Sequence, residues 1–593
     1  FRYMKEFVKT MLAVICALIV LRVLAFIFMI VMFAGAFASG SGAPLPKEGV
    51  LDLDMSKFVI AEQTQDNPVP SFSLSGSFSM PDAQIGLLDA IHAVEAAAAD
   101  PGVKYILLRP EGATAGLAHA EEFRRALSEF RRSGKPVIAW LESPSNGSYY
   151  LATVADKVYL SSYHGFSYQL IGLSSQMIFL KDILDKVGVN VQLIRHGKYK
   201  SAGEMFIRNS ASPENREQNQ VMINSAWKTL TSAISSSREI SEEEFNSLVD
   251  RLALAEPEDF LSAGLVDALM TRSELIEKLC TLAGVENEEK LKLIPFADYA
   301  LAKVSPVLKP NVAIIYADGE IVDGEDFTNI DGDRFVREIN KAAKDNSIKA
   351  VVLRVNSPGG SVSASVKIRT ALDSLQAKKP LVASFGNYAA SGGYWISNGC
   401  EKIYADANTV TGSIGVFSMI PEFSKVTKNV GVNFETVGSN KHSDMFSLMR
   451  PFDKTELDYM QASVEDIYES FVNLVADGRK MAPSAVDEIA QGRVWMGSDA
   501  LGIGLVDEIG TLQDALVYAA SLAGIGPDEI RTAAFPAPLT FAQQLMESLG
   551  QGSSEPSILA GTPFEGLGQE LNGILSSKSG KPMARLPYAY EFK

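Results

Sequence analysis

Along most of this chain, short apolar runs alternate with stretches in which apolar residues recur every three or four positions. The first pattern predicts buried strands and the second amphipathic helices. Past the midpoint the alternation is regular. Val312–Tyr316 predicts a strand, Asp333–Asp345 a helix, Ala350–Val355 a buried strand and Val362–Gln376 a helix. Leu381–Phe385 predicts a strand, Ser391–Asn398 a helix opening, and Lys402–Ala405 another strand. Such alternation is the signature of α/β layering around a mainly parallel sheet. Two longer helical patterns, Pro213–Ile234 and Lys454–Ala476, interrupt it and read as packing helices or contacts between copies. At the other extreme, Met11–Ala38 is apolar apart from Arg22, which is long enough to cross a bilayer.

The pattern occurs twice. Lys104-Tyr-Ile-Leu-Leu-Arg109 resembles Lys349-Ala-Val-Val-Leu-Arg354, a shift of 245 residues. Arg124-Arg-Ala-Leu127 falls on Arg369-Thr-Ala-Leu372, and the segment 149–159 falls on 394–404, at that same shift. Gly264-Leu-Val-Asp267 returns as Gly504-Leu-Val-Asp507, and Leu282-Ala-Gly284 as Leu522-Ala-Gly524. A tandem duplication follows. The expected organisation is an anchor over 1–40, a first domain over 41–308, a second over 309–535 and a tail over 536–593. Leu308-Lys309-Pro310 marks the join. The tail is rich in Gly, Ser and Pro and reads as loosely structured or as an interaction arm.

Charge and composition narrow the classes. A net charge of −17 argues against a nucleic-acid partner. Basic residues Arg2, Lys5 and Lys9 precede the apolar run, which places the N-terminus in the cytoplasm and the body outside it. An uncleaved anchor is the reading of that run, with a signal peptide cut near Ala36-Phe37-Ala38 as the alternative. Cys16 lies in the run; Cys280 and Cys400 could pair, but no disulfide framework or zinc spacing exists. The five histidines are scattered outside any metal-ligand motif, so neither a metal nor another cofactor is expected.

Two loops carry candidate chemistry. The strand ending near Val355 runs into Asn356-Ser-Pro-Gly-Gly360, and paired glycines let backbone N–H groups approach a ligand closely. The next strand leads to Ala389-Ala-Ser-Gly-Gly393, where Ser391 sits among small residues at a helix start. Ligands in α/β folds bind at the C-terminal ends of strands, so both loops belong to one site. The Gly360 and Gly392 N–H groups would then form an oxyanion hole beside a serine nucleophile. No histidine stands in a triad arrangement with Ser391, but lysines recur at matched places: Gly197-Lys-Tyr-Lys200-Ser-Ala202 in the first copy, Gly438-Ser-Asn-Lys441-His-Ser443 in the second. A buried lysine loses its charge toward working pH and can act as a general base.

With these motifs, and Thr411-Gly-Ser-Ile-Gly415 added, the chain resembles the long form of the signal peptide peptidase A (protease IV) family. The resemblance implies a tandem Clp protease/crotonase-like fold, a serine–lysine dyad, signal-peptide substrates at the bacterial inner membrane and a homotetramer. Carried across, it makes Ser391 the nucleophile, Lys200 the base, Ser413 the hydroxyl that orients the lysine, and Gly360 and Gly392 the oxyanion donors. Lys441, at the position of the base in single-domain members, is the alternative. In the first copy Asn146 holds the serine's place and Thr114-Ala115 replace the paired glycines, so one site per chain is expected. A non-catalytic membrane scaffold and a crotonase-like acyl-CoA enzyme are the competing readings.

Overall fold

The computed structural model describes residues 45–64, 71–72, 78–79, 83–113, 116–303, 309–324, 329–538 and 582–586. The apolar run Met11–Ala38, Thr114-Ala115 and most of the tail lie outside them. No helix among the described residues is long and apolar enough to cross a membrane.

Branched apolar runs form two parallel sheets, each buried on both faces. The first has the order Ala268–Met270, Lys157–Ser161, Val137–Leu141, Val103–Arg109, Gly49–Asp54, Leu293–Pro295. The second repeats it: Glu508–Ile509, Ile403–Ala405, Leu381–Ala390, Ala350–Ser357, Val312–Asp318, Thr532–Phe535. Position by position, the strands of one sheet correspond to those of the other. The duplication read from sequence is thus a duplication of topology. Helices Val362–Gln376 and Gly332–Lys344 cover one face of the second sheet with Phe335, Ile339, Ile368 and Leu372. Leu512–Leu522 covers the other with Leu512, Leu516 and Ala519.

One strand departs from expectation. Leu381 starts a strand that continues to Ala390 rather than ending near Phe385. Its far end is kept extended by Val410–Gly412, which pairs with Tyr388, Ala389 and Ala390. Val410–Gly412 in turn pairs antiparallel with Val494–Met496. In the first half their counterpart among the described residues is a single parallel bridge, from Ser145 to Gln169.

The two halves interlock. Asn190–Arg195 of the first pairs antiparallel with Phe417–Glu422 of the second, over six residues. They belong to a third sheet that continues through Met583–Arg585, Gly359–Ser361, Ile321–Val322 and Ile330–Asp331. The two long helices serve this joint as packing elements. Pro213–Arg238 lays Met222 and Ala226 against Val494 and Met496. Lys454–Arg479 packs against the strand Asn190–Arg195. The tail contributes a strand, Met583–Arg585, to the third sheet. Cys280 and Cys400 are both buried and both free, so the pairing considered from sequence does not occur.

Beneath the joint lies a buried ionic cluster. Arg354 donates to Glu62 (2.9 Å) and Glu122 (2.8 Å), and further to Ser384 Oγ and the Phe385 carbonyl. Glu122 also accepts from the Leu512 N–H, and His119 Nε2 lies 2.6 Å from Glu62. Glu62, His119 and Glu122 come from the first half, Arg354 and its other partners from the second. Every polar end of the guanidinium is engaged, which offsets the cost of burying it. The Asn387 side chain adds a cross-brace by accepting from the N–H groups of Ala118 and His119 at a helix start.

Candidate active site

Ser391 stands at the junction of the extended strand Leu381–Ala390 with the short helix Gly392–Ser397. Its φ of 54° and ψ of −111° lie where a residue with a side chain is strained. Two backbone bonds hold it there: Ser391 N–H to Gly412 C=O at 2.8 Å, and Trp395 N–H to Ser391 C=O at 2.8 Å. The helix turns away at once because Gly393 abuts Ser357; a Cβ there would meet the Ser357 carbonyl at 2.8 Å.

The amine that meets it comes from the other half. Lys200 Nζ lies 2.9 Å from Ser391 Oγ and 3.0 Å from Ser413 Oγ, with the Ser413 carbonyl at 3.3 Å. Ser413 itself has a left-handed φ of 52°, the second strained serine of the site. Lys200, Ser391 and Ser413 are all fully buried. Glycines make the lysine's channel. A Cβ on Gly492 would strike Lys200 Cβ at 2.5 Å, and one on Gly415 would press its Cδ at 3.2 Å. The backbone of the lysine loop is fixed by Arg195, which donates to the Lys200 carbonyl at 2.6 Å, and by Gln218, which donates to the Tyr199 carbonyl and to Ser201 Oγ. No carboxylate faces the amine among its recorded bonds, so burial acts unopposed and pulls the Lys200 pKa well below its ordinary value.

The glycine loop closes the site. Gly359 and Gly360 have φ of 98° and 154°, and a Cβ on Gly360 would fall 1.9 Å from the Ile321 carbonyl. A Cβ on Gly359 would fall 2.6 Å from the Gly392 nitrogen, so the two loops touch there. Lys441 is exposed on a turn, and the amine bonded to Ser391 is that of Lys200. Asn146 is held elsewhere: its amide donates to the Gly172 carbonyl at 2.9 Å and its oxygen accepts from the Gly172 N–H. It acts as a staple for the following loop.

The histidines do not enter. His119 belongs to the buried ionic cluster, and His196 stacks on Tyr468. Among the described residues His442, Asp453 and Glu456 come together, a grouping their spacing did not announce. Arg450 already donates to both oxygens of that glutamate at 2.7 Å.

Sequence comparison agrees with this architecture. The pattern of peptidase family S49 matches twice, over residues 129–286 and 373–526. The chain is 39% identical over 456 residues to Protease 4 of Haemophilus influenzae, covering 74% of this chain and 73% of that one. It is 36% identical over 516 residues to Protease 4 of Salmonella typhi, covering 84% and 83%. To the chloroplastic serine protease SPPA of Arabidopsis thaliana it is 30% identical over 492 residues, covering 81% and 70%. The chain belongs to peptidase family S49. It is a serine peptidase.

Proposed function

We propose that this chain is a membrane-anchored endopeptidase that degrades signal peptides left behind after export, with Ser391 as nucleophile and Lys200 as general base. The observation that carries the reading is the 2.9 Å contact between a deeply buried amine and a strained serine hydroxyl. The neutral lysine takes the hydroxyl proton as Ser391 attacks a peptide carbonyl. The N–H groups of Gly360 and Gly392 receive the negative charge that forms on its oxygen. Lys200 then protonates the leaving amine, and a water activated by the same lysine releases the acyl group. Ser413 keeps the amine pointed at Ser391 throughout.

The division into domains 41–308 and 309–535, each of Clp protease/crotonase-like form, belongs to the same proposal. So do the anchor at Met11–Ala38, the extracytoplasmic body and a tetrameric assembly. The run itself supports the anchor; family resemblance supports the rest. An apolar peptide, cut within its hydrophobic stretch, suits an enzyme tethered beside the bilayer.

The test is cleavage of a quenched apolar peptide by wild type, Ser391→Ala, Lys200→Ala and Lys441→Ala. Only the first and last should cleave. Normal cleavage by Lys200→Ala, with loss in Lys441→Ala, would reverse the assignment of the base. Gly360→Ala probes the oxyanion donors separately: its methyl meets the Ile321 backbone, which must move the loop. A fall in kcat of about 10²–10³ with the serine still present is expected.

A further inference from the structure

Burying a carboxylate is costly unless its oxygens are engaged, and Glu204 is fully buried at the start of the short helix Glu204–Ile207. Its Oε1 accepts from Arg195 Nη1 at 3.2 Å. Its Oε2 accepts from the Ser212 N–H at 3.1 Å and from Asn215 Nδ2 at 3.2 Å. The same Arg195 Nη1 donates to the Lys200 carbonyl at 2.6 Å. One nitrogen thus joins the buried carboxylate to the backbone of the base.

The helix that receives Glu204 begins unlike a packing helix. Where apolar side chains would face inward, Pro213–Arg238 buries Asn215, Gln218 and Asn219. Asn219 donates to the Asn215 amide oxygen at 2.8 Å, and Gln218 carries the bonds on to the Tyr199 carbonyl and Ser201 Oγ. A buried polar network costs stability, and when satisfied it fixes one geometry. This one closes on residues 199–201, at Lys200 through Arg195 and on either side of it through Gln218. The duplication supplies a comparison. At the shift of 241 that sets Lys200 on Lys441, Arg195 falls on Thr436 and Glu204 on Met445. The second copy keeps the lysine without the pair, and there the lysine is exposed on a turn.

We infer that Glu204 is a positioning residue for the base: through Arg195 it holds the Lys200 backbone so that the amine stays against Ser391. The inference rests on the dyad reading above. At its tip the amine meets two hydroxyls, the Ser413 carbonyl and the ring of Phe417, centred 5.9 Å away. No countercharge is among these partners, so the amine's place depends on its backbone. Released from Arg195, the loop carries the amine toward water. Its pKa then climbs back toward that of an ordinary lysine, and less of it is neutral at a given pH.

The pH dependence of kcat for peptide cleavage by the full chain tests this. In Glu204→Ala the acid limb should move to higher pH. At neutral pH kcat should fall by about 10²-fold with KM little changed, the scale of a misplaced reacting group. Raising the pH should recover part of the loss. Glu204→Gln, which keeps an oxygen for Arg195, should lie between Glu204→Ala and wild type. Arg195→Met combined with Glu204→Gln strands no charge and serves where Glu204→Ala melts below the assay temperature; its limb should move the same way. A role confined to stability would lower the melting temperature and leave the limb in place. Limbs at the wild-type position in the folded variants would overturn the inference and leave the dyad standing. Wild-type cleavage by Lys200→Ala would mean instead that the dyad reading has failed.

Discussion

Lys200→Ala is expected to lower kcat for peptide hydrolysis by about four to six orders of magnitude, the range seen when one member of a nucleophile–base unit is removed. KM should change little, because the amine is bonded to the serine hydroxyl and to Ser413 alone. The size of the effect follows from the surroundings. Ser391 has one strong side-chain partner, and Ser413 is bonded to the amine and not to the nucleophile. Without the amine nothing else at that point accepts the proton. The loss will not come from unfolding. The lysine is buried without a countercharge, so Lys200→Met removes a costly buried amine along with its bonds to Ser391 and Ser413, and the chain should still fold cooperatively.

Arg354→Met should destabilise the body by about 3–5 kcal/mol, the cost of leaving buried charge unpaired. Two carboxylates lose their partner at once, Glu62 and Glu122, both almost wholly buried. Urea unfolding would measure the loss. Restoring neutrality with Glu62→Gln and Glu122→Gln in the same chain should recover part of it, since the cost is the stranded charge and not the missing contact area. Activity should fall as well, because Arg354 lies on the strand that delivers Pro358, Gly359 and Gly360 to the site. The cluster also has a pH signature. Arg354 and His119 hold the Glu62 carboxyl at about 2 against an ordinary 4.5, in spite of burial. A carboxyl with a depressed folded pKa contributes stability that is complete above the unfolded value and is lost as pH falls through about 2.

How much of this could be read from the chain depended on the range of the interaction. The strands and helices named between Val312 and Ala405 were legible to within a few residues, the end of Leu381–Ala390 apart, because each rests on a local run of apolar side chains, whereas the short strands Val410–Gly412, Phe417–Glu422 and Val494–Met496 were not read. The glycine loop and the serine were legible for the same reason: each is a short contiguous motif. Arg354 was visible only as a repeated letter. Its counterpart Arg109 bonds Asp52 nearby, whereas Arg354 reaches Glu62, nearly three hundred positions away, and no periodicity records such a pairing. The extension of Leu381–Ala390 was hidden because Gly386-Asn387 reads as a break, while the strand is sustained from outside by Val410–Gly412. The tail strand is three residues long, too short for any pattern to emerge. Lys200 and Lys441 both carried the features of a base; only the pairing of Asn190–Arg195 with Phe417–Glu422 brings the loop of the first beneath the serine.

The claim on which the account turns is that an uncharged Lys200 activates Ser391. The rate at which a fluorophosphonate probe labels Ser391, followed against pH in the full chain, tests it most directly. Burial lowers the lysine's pKa, so protonation at low pH should silence the serine. Labelling should rise with pH through one ionisation lying well below the ordinary 10.5 of lysine, and should vanish in Lys200→Ala. Labelling that proceeds at the wild-type rate in Lys200→Ala, with the same pH profile, would contradict it.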